Sequence, residues 1–317
     1  MRFFILSCGT TACYNFAKKI KANFPEIYLI GVDTNSSELV ATTNYLDEFY
    51  TVLPSSNNND YYVQILSLLD ATKPDYIIPS FDVDQQLFFD GNSDLSKRDI
   101  ISLGIPESTV TIYRNKLSMN EQMNNFHLPL PIRYTIKSSD INRYFAKPLN
   151  GVASIGAKVI SAEVFDKYKN EGFLIQEVCN GPEITVQCFR VGNYFRCVCR
   201  ERIQTKSGVC TKTKIFFDQD LNDIAKNFSD SIRTPIIFNL QFMKNQKLEW
   251  VITDVNLRMA GGGYLSAAVG WDEVSALVSY LKNKDTSLLD QYLPKVNGET
   301  YVIATTAWEI TKSRSRN

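Results

Sequence analysis

The sequence has very little histidine and no excess charge of either sign, and each absence excludes a class of function. It contains one histidine, 34 basic and 34 acidic residues. A single histidine excludes multi-histidine metal sites and most Ser-His or Cys-His nucleophile schemes, and His127 follows a helical pattern, so we interpret it as structural. Balanced charge provides no overall basic field for nucleic acid, so we expect no nucleic-acid partner.

Long apolar runs and metal-type cysteine spacings are also missing. No apolar run approaches the ~20 residues that span a bilayer, and the apolar start, residues 1–7, is too short for a signal peptide. We therefore expect a cytoplasmic protein with no membrane partner. Of the seven cysteines, five fall between Cys179 and Cys210. Their spacing is not that of a zinc finger or ribbon, which favours reduced cysteines that pack as small apolar residues.

The first 106 residues alternate strand and helix patterns. An apolar strand at residues 3–7, a helical pattern and a second strand at residues 27–32 predict an open α/β unit. The order strand, helix, strand, Asp33 is also found in dinucleotide-binding units. However, the turn after the first strand has Gly9 but lacks three spaced glycines, so a structural strand-turn-helix is favoured.

Two acidic residues follow the strand at residues 76–79. Residues at the carboxyl end of a strand in an open α/β sheet commonly line a ligand crevice, so Asp82 and Asp84 are candidate substrate contacts. The alternative is that Asp82 caps the helix that follows.

The middle of the chain predicts a helix and then a small β-rich unit. The helix opens around Lys116 and is closed by prolines. Lys147 then lies on a strand directly before a glycine-bearing loop, residues 149–156. A lysine and free backbone N–H groups are what a phosphate-covering loop needs. An ordinary hairpin is the alternative.

The next stretch offers groups for a nucleoside. Extended backbone at Glu177 and Val178 is suited to pairing with an adenine, and Glu183 to accepting from ribose hydroxyls, although residues 180–182 also suit a plain turn. The charged alternation of residues 194–217 predicts half-buried antiparallel strands; the alternative is that cations on one face hold an anionic substrate or acyl phosphate. Those cations are Arg196, Arg200, Arg202, Lys212 and Lys214.

Residues 254–263 hold the strongest cluster of polar groups. Because strand side chains alternate, Asp254, Asn256 and Arg258 are expected on one side. Asn239 and Gln241 share a face of the preceding strand of a hairpin, and if it is the same face, oxygen ligands meet across the two strands. Carboxylate and amide oxygens suit magnesium, and a guanidinium suits phosphate. The alternative is a surface strand that ends in a glycine-rich turn.

Taken in order, these elements resemble the ATP-grasp superfamily over nearly the whole chain, closest to the carboxylate-amine ligase and carbamoyl phosphate synthetase large-subunit type. Lys116 and Lys147 match the two phosphate lysines. The adenine and ribose segments match Gln176, Glu177, Val178 and Glu183. The magnesium ligands match Gln241, Asp254 and Asn256. Arg258 matches the arginine of the acyl phosphate, and Gly262 lies in the turn near the acceptor.

The resemblance implies an α/β fold with α+β character in its C-terminal part. The expected units are an N-terminal open α/β domain (1–106), a linker helix with a β-rich lid (107–188), a C-terminal antiparallel-sheet catalytic unit (189–311) and a disordered tail (312–317). The resemblance implies ATP and Mg²⁺ as cofactors, small-molecule carboxylate and amine substrates, and Lys147 and Arg258 as catalytic residues of an ADP-forming ligase. A homodimer is a possible assembly.

The sequence departs from the family pattern at several positions. The family usually has glutamate at Asp254, proline at Leu257 and often glycine at Ala153. Because Asp254 is one methylene shorter, it is expected to hold one magnesium ion and not bridge two. The short segment between Pro131 and Lys147 predicts a reduced lid. The alternative function is a catalytically reduced Mg-ATP-binding regulatory or assembly protein, with a carboxylase-type role as a lesser option.

Overall fold

The computed structural model describes residues 1–113, 115–149, 156–206 and 209–304, which form three β-sheets with helices packed on them. Ala153 in the predicted phosphate-covering loop and the predicted disordered tail, residues 312–317, lie outside the described residues.

The first sheet is parallel, with the strand order β3-β2-β1-β4-β5. Its strands in chain order are Arg2–Ile5, Tyr28–Asp33, Glu48–Thr51, Tyr76–Ile78 and Ile101–Ser102. Helices α1 (Thr11–Asn23) and α2 (Asn58–Thr72) lie between them. The central strand β1 is apolar and buries Phe3, Phe4 and Ile5 completely, as expected for a parallel sheet covered on both faces. The predicted open α/β unit is confirmed.

Four short helices lead from this sheet toward the second one. They are α3 (Asp82–Leu87), α4 (Ser93–Ser96), α5 (Glu107–Tyr113) and α6 (Lys116–Asn125). The start of α6 is fixed by Asn115, whose side-chain oxygen accepts hydrogen bonds from the backbone N–H groups of Leu117 and Ser118. His127 lies just beyond α6 with a positive φ of 54°. The Asn115 cap places Lys116 in the first turn of α6.

The second sheet is small and antiparallel, in the order β7-β6-β8. Its strands are β6 (Arg143–Pro148), β7 (Lys158–Ser161) and β8 (Phe173–Gln176), and α7 (Phe165–Asn170) packs on it. Tyr144 and Ala146 of β6 are fully buried, and the Tyr144 and Phe165 rings meet at 4.8 Å between centroids. Because side chains alternate along a strand, Lys147 lies on the opposite face of β6.

The third sheet has six antiparallel strands in the order β13-β12-β9-β10-β11-β14. In chain order they are Asn180–Val191, Tyr194–Lys206, Val209–Phe216, Ile237–Lys244, Trp250–Asn256 and Thr300–Ile303. One face packs on α8 (Gln219–Ser231), and the other packs on α9 (Glu273–Asn283) and the first sheet's helix α1 in one continuous apolar core. The large sheet and the N-terminal unit therefore share a core.

The expected unit boundaries can be compared with the ends of the three sheets. The boundary after residue 106 lies between β5 and α5. The one after residue 188 lies inside β9, because β9 runs from Asn180 to Val191 in the large sheet. The chain instead passes from the small sheet to the large sheet between Gln176 and Asn180. None of the helices in the described part of the chain has the length and apolarity needed to cross a bilayer.

Candidate functional site

A cleft of about 1140 Å³ lies between the small sheet, the large sheet and the helices that connect them to the first sheet. Its volume is slightly above the range of about 300 to 1,000 Å³ that is usual for small-molecule and cofactor sites. Helices α3 and α6 and strands β6, β8, β9, β12 and β13 all contribute to its walls. The sequence-predicted residues that line it are Asp82, Lys116, Lys147, Gln176, Glu177, Val178, Glu183, Gln241, Asp254, Asn256 and Arg258.

The β12-β13 hairpin brings three oxygen-bearing side chains to one wall of the cleft. Gln241 lies opposite Asp254 in the antiparallel register, and Asn239 lies opposite Asn256. Residues directly opposite each other share a face of the sheet, as the alternation predicts. The Asn256 side-chain amide donates to the Asp254 carboxylate at 3.2 Å. Asn239 is turned to the backbone instead and donates to the Arg258 carbonyl at 2.9 Å.

These three side chains suit a magnesium ion that arrives with a phosphate. They supply one carboxylate and two amide oxygens. Among residues 1–113, 115–149, 156–206 and 209–304, no group of three or more His, Cys, Asp or Glu residues is arranged to hold a metal. Magnesium usually keeps several waters and binds through one or two carboxylates together with substrate phosphates. The donor set therefore fits a nucleotide-borne ion better than a permanently held one.

Two lysines meet Asp254 at the same end of the cleft. The Lys147 ammonium donates to the Thr253 carbonyl at 2.7 Å. Burial lowers the pKa of Lys147; the neighbouring Asp254 carboxylate opposes this shift, and the Lys116 cation adds to it. The Lys116 backbone N–H donates to the Leu149 carbonyl at 3.1 Å, which fastens the start of α6 to the end of β6. An anion at this end would meet cations from two separate elements.

The expected adenine segment is partly engaged by the chain itself. The Glu177 backbone N–H donates to the Ile132 carbonyl at 2.9 Å, and the Ile132 N–H donates to the Glu177 carboxylate at 2.8 Å. Glu177 is buried in this reciprocal pair. The linker before β6 therefore occupies the Glu177 N–H, and the expected pairing of this segment with an adenine would use its other backbone groups. Gln176 and Val178 on either side line the cleft.

Glu183, the expected ribose contact, is paired with a cation. The Arg202 guanidinium on the neighbouring strand β10 donates to the Glu183 carboxylate in a half-buried ion pair. A charged donor of this kind orients the carboxylate at the cleft wall. Sequence reasoning had placed Arg202 only within a run of cations, since nothing local shows that it lies across from Glu183.

Arg258 lies between the oxygen-bearing wall and α3. Its Nη2 donates to the Asn256 side-chain oxygen at 3.4 Å, and its Nε lies 3.6 Å from the Asp82 carboxylate. The Tyr113 hydroxyl donates to the same Asp82 oxygen at 3.0 Å and accepts from the Leu257 N–H at 3.4 Å. Burial raises the pKa of Tyr113 well above its usual value, and the Asp82 charge adds to this.

Tyr113 is therefore a site residue that sequence reasoning missed. The only local signal was its place at the end of α5, just before the Asn115 cap. Asp82 is not the helix cap that the alternative suggested, because the capping position of α3 is Phe81 and its side chain makes no capping bond. Asp82 instead holds Arg258 and Tyr113 together.

Asp84 does not reach the cleft, so its expected substrate contact is wrong. It is fully buried in the N-terminal unit, where it accepts from the Ser7 hydroxyl and the Tyr61 hydroxyl, each at 2.7 Å. Burial raises the pKa of its carboxyl group. The physical reason is that α3 begins at Asp82, and residues two apart on a helix do not share a face.

Gly262 is likewise not part of the cleft wall. It packs on strand β10: a Cβ on Gly262 would lie 3.1 Å from Nη1 of Arg200, and one on Gly263 would lie 3.0 Å from Nε2 of Gln187. The glycine turn thus closes on side chains of the large sheet; Gly262 contacts Arg200, and its expected place near the acceptor stays a prediction.

Part of the chain matches a known family. A family model described as "ATP-grasp in the biosynthetic pathway with Ter operon" matches residues 169–303. No curated protein sequence matches the chain.

Several solved structures share the fold at low sequence identity. N5-carboxyaminoimidazole synthetase from Staphylococcus aureus, complexed with ADP, has a TM-score of 0.64 at 14% identity, covering 84% of this chain and 72% of that one. A biotin carboxylase complex from Campylobacter jejuni has a TM-score of 0.73 at 13% identity, covering 94% and 74%. An L-amino acid ligase from Bacillus licheniformis has a TM-score of 0.67 at 9% identity, covering 88% and 73%.

At these identities the structural likeness establishes the fold and not the activity. It agrees with the predicted architecture of an open α/β unit, a small β-rich unit and an antiparallel sheet. The family model thus matches residues 169–303 as ATP-grasp, and the solved structures show that the chain as a whole has the ATP-grasp fold.

Proposed function

We propose that the protein is an ATP-dependent ligase that activates a carboxylate as an acyl phosphate and joins it to an amine. The observation that carries this proposal is the meeting of Lys116, Lys147, Asp254 and Arg258 at one end of a cleft of about 1140 Å³. Two cations, an oxygen-bearing wall and a guanidinium are what transfer of a phosphoryl group to a carboxylate requires.

In this proposal the nucleotide lies between the small sheet and the large one. Lys116 and Lys147 bind its phosphates from opposite sides, and the base lies along Gln176 and Val178. Glu183, oriented by Arg202, accepts from the ribose hydroxyls. Gln241, Asp254 and Asn256 would hold the magnesium ion, which supplies positive charge to the phosphate oxygens during transfer.

The chemistry proceeds in two displacements. A carboxylate oxygen of the first substrate attacks the γ-phosphorus of ATP, the bond to the β-phosphate oxygen breaks, and ADP leaves. The amine nitrogen of the second substrate then attacks the acyl carbon, inorganic phosphate leaves with the electron pair of its bond to that carbon, and the amine loses a proton. Arg258 stabilises the anionic carboxylate and the acyl phosphate in turn, while Lys147 stabilises the transferring phosphoryl group.

Asp82 holds Arg258 before any substrate is bound. Their closest approach of 3.6 Å is loose for an ion pair, so an incoming carboxylate or phosphate competes for the guanidinium on favourable terms. We expect the resting pair to keep Arg258 aimed at the cleft.

Trapping of the acyl phosphate tests the proposal directly. The protein is incubated with Mg-ATP, hydroxylamine and a panel of carboxylates that includes amino acids, dicarboxylates and bicarbonate. ADP and hydroxamate are then measured together. We expect one class of carboxylate to yield both products in equal amounts.

Two lysine variants provide the matched control. Lys147→Met is expected to lower the rate of ADP formation by roughly 100-fold or more, in line with the loss of one preorganised charged donor. Lys158→Met removes a lysine from the neighbouring strand β7, where it lies over the Tyr168 ring, and is expected to leave the rate unchanged. ATP binding without ADP formation from any carboxylate would count against a ligase.

The second candidate is a Mg-ATP-binding regulatory or assembly protein with little turnover. One observation favours it: the proposed magnesium ligands carry a single carboxylate, Asp254. Tight Mg-ATP binding that persists in Asp254→Ala, together with no hydroxamate from the wild type, would support this candidate over the ligase.

A further inference from the structure

Arg200 is a buried cation that the proposed nucleotide site does not use. It lies in the middle of β10 with 2% of its surface exposed, and it is among the largest fully buried side chains. In the part of the chain that the structure describes, its Nε has no hydrogen-bond partner, and the nearby Glu273 carboxylate acts on the guanidinium without forming an ion pair or hydrogen bond with it. A buried guanidinium without a paired anion is costly, so this position calls for an anionic ligand.

The groups around Arg200 leave its guanidinium available. Gln187 donates to the Glu273 carboxylate at 2.5 Å, and the Ser266 hydroxyl donates to Gln187 at 3.0 Å, so these three side chains satisfy one another. The turn at residues 261–263 covers Arg200, and Gly262 presents backbone alone to its Nη1. A side chain at position 262 would lie between the Arg200 guanidinium and a ligand that approaches over the turn.

Arg200 faces the same side of the large sheet as the proposed magnesium ligands. In the strand registers, Asp254 lies opposite Gln241, Gln241 opposite Thr185, and Thr185 opposite Arg200. Directly opposed residues share a face. With strands about 4.8 Å apart, Arg200 lies about 10 Å from Gln241 and about 14 Å from Asp254 along this row. The turn that covers Arg200 also begins three residues after Arg258.

We propose that Arg200 binds a carboxylate of the substrate, at the glycine turn and about 10 Å along the sheet from the metal-binding end of the cleft. The inference rests on the proposed function and adds the substrate class: the substrates together carry a second carboxylate besides the one that is activated. A guanidinium matches a carboxylate through two parallel hydrogen bonds, which a lysine could not reproduce. The second carboxylate belongs either to a dicarboxylate donor or to an amino acid that provides the amine.

Binding to the wild-type protein is the first test, because it needs neither catalysis nor a variant. Thermal unfolding is measured without ATP in the presence of succinate or its diamide, and of L-alanine or L-alaninamide. We expect a higher unfolding temperature with a carboxylate than with its amide, and the responding pair identifies the donor or the acceptor as the source. Equal responses to every carboxylate and its amide would overturn the proposal, whatever the outcome of the ADP assay.

A pair of arginine variants on one strand is the second test. Arg200→Gln is expected to raise the concentration of the responding carboxylate needed for half-saturation by roughly 10- to 100-fold, the effect of losing charge-assisted hydrogen bonds, and to leave that of ATP unchanged. Arg196→Gln removes a more exposed arginine of β10 that pairs with Asp290, and should change neither value. Folded Arg200→Gln protein, verified by its circular dichroism, with wild-type carboxylate affinity would overturn the assignment. That result combined with normal ADP formation would leave the ligase proposal standing.

Discussion

Replacing Glu273 by glutamine should remove a pH dependence of stability that the fold builds in. Glu273 begins α9, is 8% exposed and accepts a hydrogen bond from Gln187 at 2.5 Å. Burial raises the pKa of its carboxyl group from 4.5 to about 7, and the nearby Arg200 cation only partly opposes the shift. At about 1.4 kcal/mol per pH unit, this difference corresponds to about 3 kcal/mol of unfolding free energy.

The direction follows from proton binding in the two states. Below pH 4.5 Glu273 is protonated in both the folded and the unfolded chain, so its contribution to stability is fully present. Between pH 4.5 and 7 the unfolded chain releases the proton while the folded protein keeps it. The free energy of unfolding therefore falls as pH rises, and the contribution is lost above pH 7.

The measurement is the difference in unfolding free energy between wild type and Glu273→Gln in urea, from pH 5 to pH 8. Glutamine still accepts the hydrogen bond from Gln187 and has no titrating proton. We expect the wild type to lose about 2 to 3 kcal/mol relative to the variant across this range. Glu163→Gln, at an exposed position, is the control and should give a constant difference. A constant difference for Glu273→Gln as well would refute the reasoning.

Two further predictions concern the neighbours of Arg258 and Arg200. Tyr113→Phe removes the hydroxyl that donates to Asp82 at 3.0 Å, so we expect the KM for the carboxylate to rise by roughly 3- to 10-fold, since one hydrogen bond to a charged group is lost. The KM for ATP, measured in the same assay, should stay unchanged, and an unchanged carboxylate KM would show that the hydroxyl does not position Arg258. Gly262→Ala places a Cβ 3.1 Å from the Arg200 Nη1 and should lower the unfolding free energy by about 1 to 3 kcal/mol, whereas Gly261→Ala meets nothing within 4 Å and should have little effect. Chemical unfolding of the two variants side by side measures this, and equal stabilities would contradict the packing described for the turn.

The arrangement of the metal-binding wall could be predicted from the sequence because it depends on short-range rules. Alternation along a strand places Asp254 and Asn256 on one face, and the predicted hairpin brings Gln241 to the neighbouring strand; the register then puts Gln241 opposite Asp254. The open α/β unit was predictable for the same reason, since its strands and helices have distinct apolar periods.

The remaining site features depend on contacts between distant parts of the chain. Asp84 was expected in the cleft because it follows the end of a strand. However, helix α3 starts at Asp82, so the Asp84 side chain points into the core of the N-terminal unit. The engagement of Glu177 by Ile132, 45 residues earlier, leaves no local pattern. Arg200 was one cation in an alternating run, and only the register and the glycine turn show that it is buried.

The reciprocal bonds between Ile132 and Glu177 have a mechanical consequence for the small sheet. The chain reaches this sheet at Arg133, which bridges Gln176 at the end of β8, and leaves it at Glu177, so both connections to the rest of the molecule are tied at one point. We expect the small sheet to rotate as a rigid body about that point, so that the segment near Val178 moves very little. Opening of the small sheet would break the bond from the Lys147 ammonium to the Thr253 carbonyl and the bond from the Lys116 N–H to the Leu149 carbonyl, so the phosphate end of the cleft opens while the part beside the hinge stays closed.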